Sequence, residues 1–246
     1  MLRRLEPSDL PALLRLSTAA GWNQTAEDWL RLLELEPEGC FGIEQDERIV
    51  ASATVISYGE ALAWIGMVLT LPEYRGRGHA MQLMRHCLDF CTQRGIATVR
   101  LDATEMGRPV YERLGFHAEY GVARWSGHLD ATEDAPPQFD FALDRLAFGA
   151  DRRRLLLKTG WSRPGRVAAY LGPVTARTAA EAGAIIRGCG IRGPAFWDIP
   201  EPNAAARQLA ASLGFAPVRQ LVRMRLGPPV EERMEWVFAL AGFEYG

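Results

Sequence analysis

Along the first half of the chain, apolar positions alternate between two spacings. Some runs are continuous or every second residue, as in strands. Others recur at i, i+3, i+4 and i+7, as on one face of a helix. Residues 2–5 read as a short strand, and residues 9–20 as a helix capped by Ser8 and ended by Gly21. Thr25 caps a second helix, which Pro37 stops. Residues 39–44 and 49–58 form a hairpin across the polar turn Gln45-Asp46-Glu47-Arg48. Residues 61–69 are almost wholly apolar, as expected of a strand buried on both faces. After a loop of glycines and arginines, Ala80, Leu83, Met84, Cys87, Leu88 and Cys91 make a helical stripe that Gly95 ends. A strand at 96–102, a short helix at 107–114 and a closing strand at 116–125 complete the half.

The second half has a similar rhythm. It reads as a strand at 166–171, an alanine-rich helix at 175–187, a strand at 195–199, a helix at 203–213 and a strand at 218–226. The tripeptide Leu-Gly-Phe ends a helix twice, at Leu114-Gly115-Phe116 and Leu213-Gly214-Phe215. Each copy follows an apolar strand that carries an aspartate, Asp102 or Asp198, so the pattern points to an internal repeat. Between the halves, residues 132–138 lack sizeable apolar side chains and hold two adjacent prolines. Cutting there leaves units of about 130 and about 110 residues, each large enough for a domain. The fold class expected is α/β of the α+β type.

Composition narrows the function. The chain has 246 residues, 48% of them hydrophobic and 24% charged, as in an ordinary globular protein. No apolar run approaches the ~20 residues that span a bilayer, and no apolar segment follows the first arginines as in a signal peptide. A net charge of −2 gives no global reason to bind nucleic acid or anionic lipid. The run Arg152-Arg153-Arg154 reads as a solvated helix face. The four cysteines and four histidines show no zinc-ligand spacing. The expectation is a cytoplasmic protein with reduced thiols, no metal, no membrane partner and no nucleic-acid partner.

Candidate chemistry sits in residues 65–80, Ile-Gly-Met-Val-Leu-Thr-Leu-Pro-Glu-Tyr-Arg-Gly-Arg-Gly-His-Ala. A buried strand runs through a proline-marked loop into a helix. There the amides of residues 76–81 lack intrahelical acceptors and sit at the positive end of the helix dipole. Gly76 and Gly78 permit close approach, and Arg75 and Arg77 add charge. The ligand expected is a phosphate or pyrophosphate. Neither GxxxxGK[ST] nor GxGxxG is present. A tight turn without a ligand is the alternative from the loop alone.

Arg75-Gly-Arg-Gly78-His-Ala80 resembles the [QR]-x-x-G-x-[GA] signature of the GNAT (Gcn5-related) N-acetyltransferases. Tyr111-Glu-Arg-Leu114-Gly115-Phe116 resembles the family's later Y-x-x-L-G-F landmark, and the likeness covers about residues 1–126. It implies acetyl-CoA as co-substrate. The pyrophosphate would lie on the amides of Gly76, Arg77, Gly78, His79, Ala80 and Met81, beside Arg75. The pantetheine arm would pair with the backbone of Val68, Leu69 and Thr70, as an added strand does. It would fill a splay between the strands at 61–69 and 96–102. The resemblance further implies Tyr111 as the acid for the leaving thiolate and the Val68 N–H as a donor to the carbonyl oxygen. His79 fits a phosphate-adjacent side chain better than a base. Asp102 fits either a general base acting through water or a helix cap, with Glu73 and Glu60 as other bases. An asparagine common in the family seven residues before the tyrosine is replaced by Thr104.

The second half resembles a degenerate GNAT-like domain, as in a two-domain bacterial subfamily. Residues 148–152 and Gly172-Pro173-Val174 carry that likeness, but the anion loop is missing and Ala210 stands where Tyr111 would align. The expectation is tandem GNAT-like folds, each a mixed, mostly antiparallel sheet flanked by helices. Residues 1–127 form the catalytic domain, 128–140 a linker and 141–246 the degenerate domain. The function expected is acetyl transfer from acetyl-CoA to a small-molecule amine or amino-acid-like acceptor. The alternatives are a non-catalytic acyl-CoA sensor, or an acyltransferase with another acyl group or a hydroxyl acceptor. Trp22 and Asn23 from the first half, and Trp197, Asp198 and Asn203 from the second, are candidate acceptor contacts.

Overall fold

The computed structural model describes residues 1–132 and 136–246, so residues 133–135 of the expected linker lie outside the described residues. The first half runs β1 (Leu2–Arg4), α1 (Leu10–Ala19), α2 (Ala26–Leu35), β2 (Cys40–Gln45), β3 (Arg48–Tyr58), β4 (Leu62–Thr70), α3 (His79–Gln93), β5 (Thr98–Ala103), α4 (Arg108–Glu112) and β6 (His117–Asp130). The second runs α5 (Phe141–Phe148), α6 (Arg153–Thr159), β7 (Ser162–Arg163), β8 (Ala169–Leu171), β9 (Val174–Thr175), α7 (Ala179–Arg187), β10 (Arg192–Pro200), α8 (Ala204–Ser212), β11 (Ala216–Leu226) and β12 (Val237–Ala239). None of the described helices is long and apolar enough to cross a membrane.

Local chemistry explains most boundaries. Thr25 Oγ1 accepts from the Asp28 N–H and caps α2. Asp46 and Glu47 both take positive φ, 48° and 59°, the geometry of a two-residue hairpin turn. Ser8 does not cap α1. A 3₁₀ turn at Pro7–Asp9 precedes it, and the Glu6 N–H donates to Asp9 Oδ2 at 2.8 Å. The alanine-rich helix starts later than its composition suggests, at Ala179, because Val174 and Thr175 pair with β12 instead.

Ten strands form one mixed, mostly antiparallel sheet in the order β1-β2-β3-β4-β5-β11-β6-β10-β8-β7. Its parallel pairs are β4–β5 and β8–β10. Each pair is followed by a helix that ends in Leu-Gly-Phe. In both copies the Phe N–H reaches back five residues, from Phe116 to Tyr111 O at 3.1 Å and from Phe215 to Ala210 O at 3.0 Å. The repeat read from the tripeptides is therefore a structural repeat, with Ala210 at the place of Tyr111.

The strand after each tripeptide does not close its own half. β6 leaves β5 and pairs with β10 from Arg192↔Asp130 to Pro200↔Val122. β11 pairs with β5 from Val222↔Ala103 to Leu226↔Val99, and with β6 on its other side. The halves thus exchange strands. Residues 128–130, expected in the linker, are the end of β6.

The segment after β12 returns to the first half. Trp64 Nε1 donates to Phe243 O at 2.9 Å, and the Tyr58 hydroxyl to Tyr245 O at 2.6 Å. Arg152 lies beneath it, 1% exposed, with both Asp144 oxygens and Gly246 O as acceptors. The solvated-face reading of the arginine run therefore fails at Arg152, while Arg153 and Arg154 are exposed.

Candidate active site

β4 and β5 pair only at Leu62↔Thr98, Ala63↔Val99 and Trp64↔Arg100, and then part. Along the open stretch, β4 keeps its bonds to β3 through Ser52↔Leu69 and Ala51↔Thr70. A bulge separates those rungs from the earlier ones, with Met67 at φ 49° and its carbonyl held by Ser52 Oγ at 2.9 Å. Val68, Leu69 and Thr70 thus present a backbone edge that β5 does not use. Val68 and Thr70 are half-buried.

The loop after β4 reaches α3 through Gly76 (φ 73°) and Gly78 (φ 82°), both in the left-handed region that other residues avoid. α2, α5, α7 and α8 each carry a side-chain cap, from Thr25, Asp140, Thr178 and Asn203. α3, with 15 residues the longest described helix, has none. Its first intrahelical donor is the Gln82 N–H, to Gly78 O at 3.0 Å. The amides of residues 76–81 donate to no carbonyl among the described residues. Arg75 Nε bonds Thr70 O at 3.3 Å, and Arg77 bonds Glu73 O at 2.9 Å over the Tyr74 ring. His79 is 8% exposed, and its buried Nε2 has no partner among the described residues. Burial first, and the Arg77 charge next, lower its pKa, which keeps the imidazole neutral beside the dipole.

Tyr111 lies on α4 in the apolar cluster that also holds Cys87, Phe116 and the buried face of α3, with Val68 at the margin of that cluster. A Cβ built on Gly107 would lie 3.3 Å from its hydroxyl and 3.4 Å from Thr104 Oγ1, so both oxygens face that turn. The hydroxyl makes no hydrogen bond among the described residues. Burial raises the Tyr111 pKa and holds its proton in place.

The other expected groups are engaged elsewhere. Asp102 caps no helix; its two oxygens accept from Arg223 of β11 at 2.9 and 3.0 Å, and both side chains are fully buried. Burial raises the Asp102 pKa against the pull of Arg223. Glu60 precedes β4, at the end away from the opening, and Glu73 is exposed on the loop. Asn23 clamps the second half: its amide donates to Ala168 O at 2.8 Å and its oxygen accepts from Val167 N–H at 2.6 Å and Ala168 N–H at 3.3 Å. Trp197 is fully buried in the second half's core, with Nε1 bonded to Phe238 O at 2.7 Å. Asp198 pairs with Arg124 through both oxygens at 2.7 Å. Asn203 caps α8 and holds Glu235 O and Val237 O. Asn23 and Asp198 therefore join the halves, Asn203 caps a helix and Trp197 fills the second core, while Trp22 alone of the five stays partly open, packed on the first core.

Sequence reading missed Glu244. It is 2% exposed, bonded to Arg163 and to Gln24 Nε2, and its Cα would lie 2.8 Å from a Cβ at Gly66, so glycine is required there. No local pattern marks a residue that reaches β4 only through the return of the chain. The equivalent helix start in the second half is closed by its own side chains. Thr178 Oγ1 accepts from the Glu181 N–H, and Glu181 Oε2 from the Arg177 N–H. The described residues hold no group of three or more metal-ligating side chains.

Residues 9–116 match the model of the acetyltransferase (GNAT) family, and residues 159–239 match a second model described as an acetyltransferase (GNAT) domain. The chain is 27% identical over 248 aligned residues to an uncharacterized N-acetyltransferase, YitH, of Bacillus subtilis (strain 168), covering 87% of each. It resembles a solved structure described as a candidate acetyltransferase from Pyrococcus horikoshii, with a TM-score of 0.86 and 23% identity over 100% of this chain and 95% of that one. A GCN5-related N-acetyltransferase from Sphaerobacter thermophilus has a TM-score of 0.66 at 17% identity, over 95% and 98%.

Proposed function

The chain belongs to the GNAT acetyltransferase superfamily, with one domain of it in each half, and from that premise we propose that it moves an acetyl group from acetyl-CoA to a primary amine of a small or amino-acid-like acceptor. The observation that carries this reading is the uncapped start of α3, set at the end of the one β4 edge that β5 leaves open. In this reading the amides of Gly76, Arg77, Gly78, His79, Ala80 and Met81 receive the pyrophosphate, with Arg75 and Arg77 beside it. Val68, Leu69 and Thr70 offer strand-type hydrogen bonds to the pantetheine arm. Acetyl-CoA supplies an activated thioester. The Val68 N–H donates to the carbonyl oxygen as negative charge develops there. Tyr111 Oη gives its proton to the departing sulfur. Asp102, bound on both oxygens by Arg223, positions β5 against β11 rather than removing protons. The acceptor amine loses its proton through water, since alkyl amines have a pKa of about 10.

The test is release of CoA across a panel of amines and peptides with acetyl-, propionyl- and succinyl-CoA. Failure of every amine despite tight acetyl-CoA binding would replace this reading with that of a sensor. Tyr111→Phe should bind acetyl-CoA as the natural protein does, yet turn over at least about tenfold more slowly. Unchanged kcat would remove the acid role.

The division into a catalytic domain at 1–127 and a degenerate one at 141–246 is part of the same proposal. With α7 self-capped and Ala210 in place of the tyrosine, one CoA should bind per chain. Calorimetric titration reads that stoichiometry directly, and a value of two would contradict it.

A further inference from the structure

Two arginines face each other across adjacent strands, Arg219 on β11 and Arg124 on β6. Asp198 on β10 faces Arg124 from the other side and is fully committed to it, through two bonds of 2.7 Å. Arg219 is left half-buried with no hydrogen bond or ion pair among the described residues. Like charges directly opposed across strands destabilise a sheet, and a desolvated cation without a partner adds to that cost. Burial first, and the charge of Arg124 next, lower the pKa of Arg219. Asp198, already bonded twice to Arg124, offsets this only through space, and no carboxylate among the described residues bonds Arg219.

A second observation lies beside the first. Tyr170 is 2% exposed, and its buried hydroxyl has no partner among the described residues. It is close enough to Arg219 to interact with it electrostatically. Around the pair, Arg124 Cζ lies 5.3 Å from the Tyr170 ring, 5.0 Å from Phe196 and 4.4 Å from Phe243. The same segment continues to β4: Phe243 O accepts from Trp64, and Glu244 sits against Gly66. β11 meets β5 last at Val222↔Ala103, so Arg219 lies three residues beyond the end of β5, at the end where β4 and β5 part.

We propose that Arg219, with the Tyr170 hydroxyl, forms an anion subsite that binds a carboxylate or phosphate carried by the acceptor. This rests on the transferase reading above and adds the chemical class of the acceptor, an amine that also bears an anionic group. Arg219 fixes the acceptor rather than the acetyl donor, so it acts on specificity.

The test uses the full chain saturated with CoA, so that the α3 cradle is already filled. Acetate, succinate and inorganic phosphate are then titrated by calorimetry. One of them should bind saturably, the better of carboxylate and phosphate naming the group. Arg219→Gln should weaken that binding at least about tenfold, and Tyr170→Phe several-fold, with CoA affinity unchanged. Because it removes a like-charge contact, Arg219→Gln should be no less stable to urea than the natural protein. Arg219→Lys should keep part of the binding. With active amines, each amino acid should outperform its carboxamide in kcat/KM, and Arg219→Gln should erase that preference mainly through KM. No saturable anion binding, or binding that survives Arg219→Gln, overturns the subsite. Either result leaves the transferase reading to stand or fall on CoA release alone.

Discussion

Arg223→Met is expected to lower the stability of the whole chain by about 3–5 kcal/mol, the usual cost of removing one partner from a buried ion pair. Arg223 and Asp102 are both fully buried in side chain and joined by two hydrogen bonds. The guanidinium also lies 4.4 Å from the Trp64 ring and donates to the Tyr120 hydroxyl at 3.2 Å. Removing it leaves a fully buried Asp102 carboxylate with no hydrogen-bonding cation and only the through-space charge of Arg100 to offset its desolvation. Because β11 lies between β5 and β6, the loss falls on the seam that joins the halves. The double variant Asp102→Leu/Arg223→Met removes both charges and should recover most of the loss. Urea unfolding followed by tryptophan fluorescence reads both. A single-variant loss under about 1 kcal/mol, or a double variant no better than the single, would show that the pair does not hold the seam.

The same pair marks where sequence reading stops. The strand at 96–102 and its terminal aspartate were legible from apolar spacing, but the partner of that aspartate stands 121 residues away. A strand's own pattern says which face is buried and not which strand lies beside it. The residues after Leu114-Gly115-Phe116 read as the closing strand of the first half. Their alternation is equally compatible with β10, and β10 is where they pair. The geometry of the loop at 72–80 was legible because it is local: two glycines, two arginines and a helix start lie within a few residues. The proposed acceptor subsite was not, since Arg219 of β11 and Arg124 of β6 become neighbours only through the exchange of strands. Asn23 and Trp197 are residue types suited to binding, yet each finds its hydrogen bonds inside the fold. Arg152 looked like part of a charged surface because nothing nearby in sequence shows that Gly246 O lies above it.

Gly78→Val is expected to weaken CoA binding at least about a hundredfold, the equivalent of losing two hydrogen bonds to a charged group at about 1.5 kcal/mol each. Gly78 sits at φ 82° immediately before α3, with open space around it. The penalty therefore comes from backbone conformation and not from a clash. A β-branched side chain avoids this region, so the loop must turn differently and the amides of residues 78–81 lose their common direction. Gly95 provides the control. It also has positive φ, 65°, with open space around it, but follows the other end of α3. Gly95→Val should destabilise the fold by a similar amount and leave CoA affinity within about twofold, since strain there does not reach the cradle. Calorimetry of CoA with both variants separates strain from binding. Equal losses of affinity would mean that Gly78 matters only for folding. Retained affinity in Gly78→Val would mean that the α3 amides do not hold the pyrophosphate, and the acetyl-CoA reading would lose its main support.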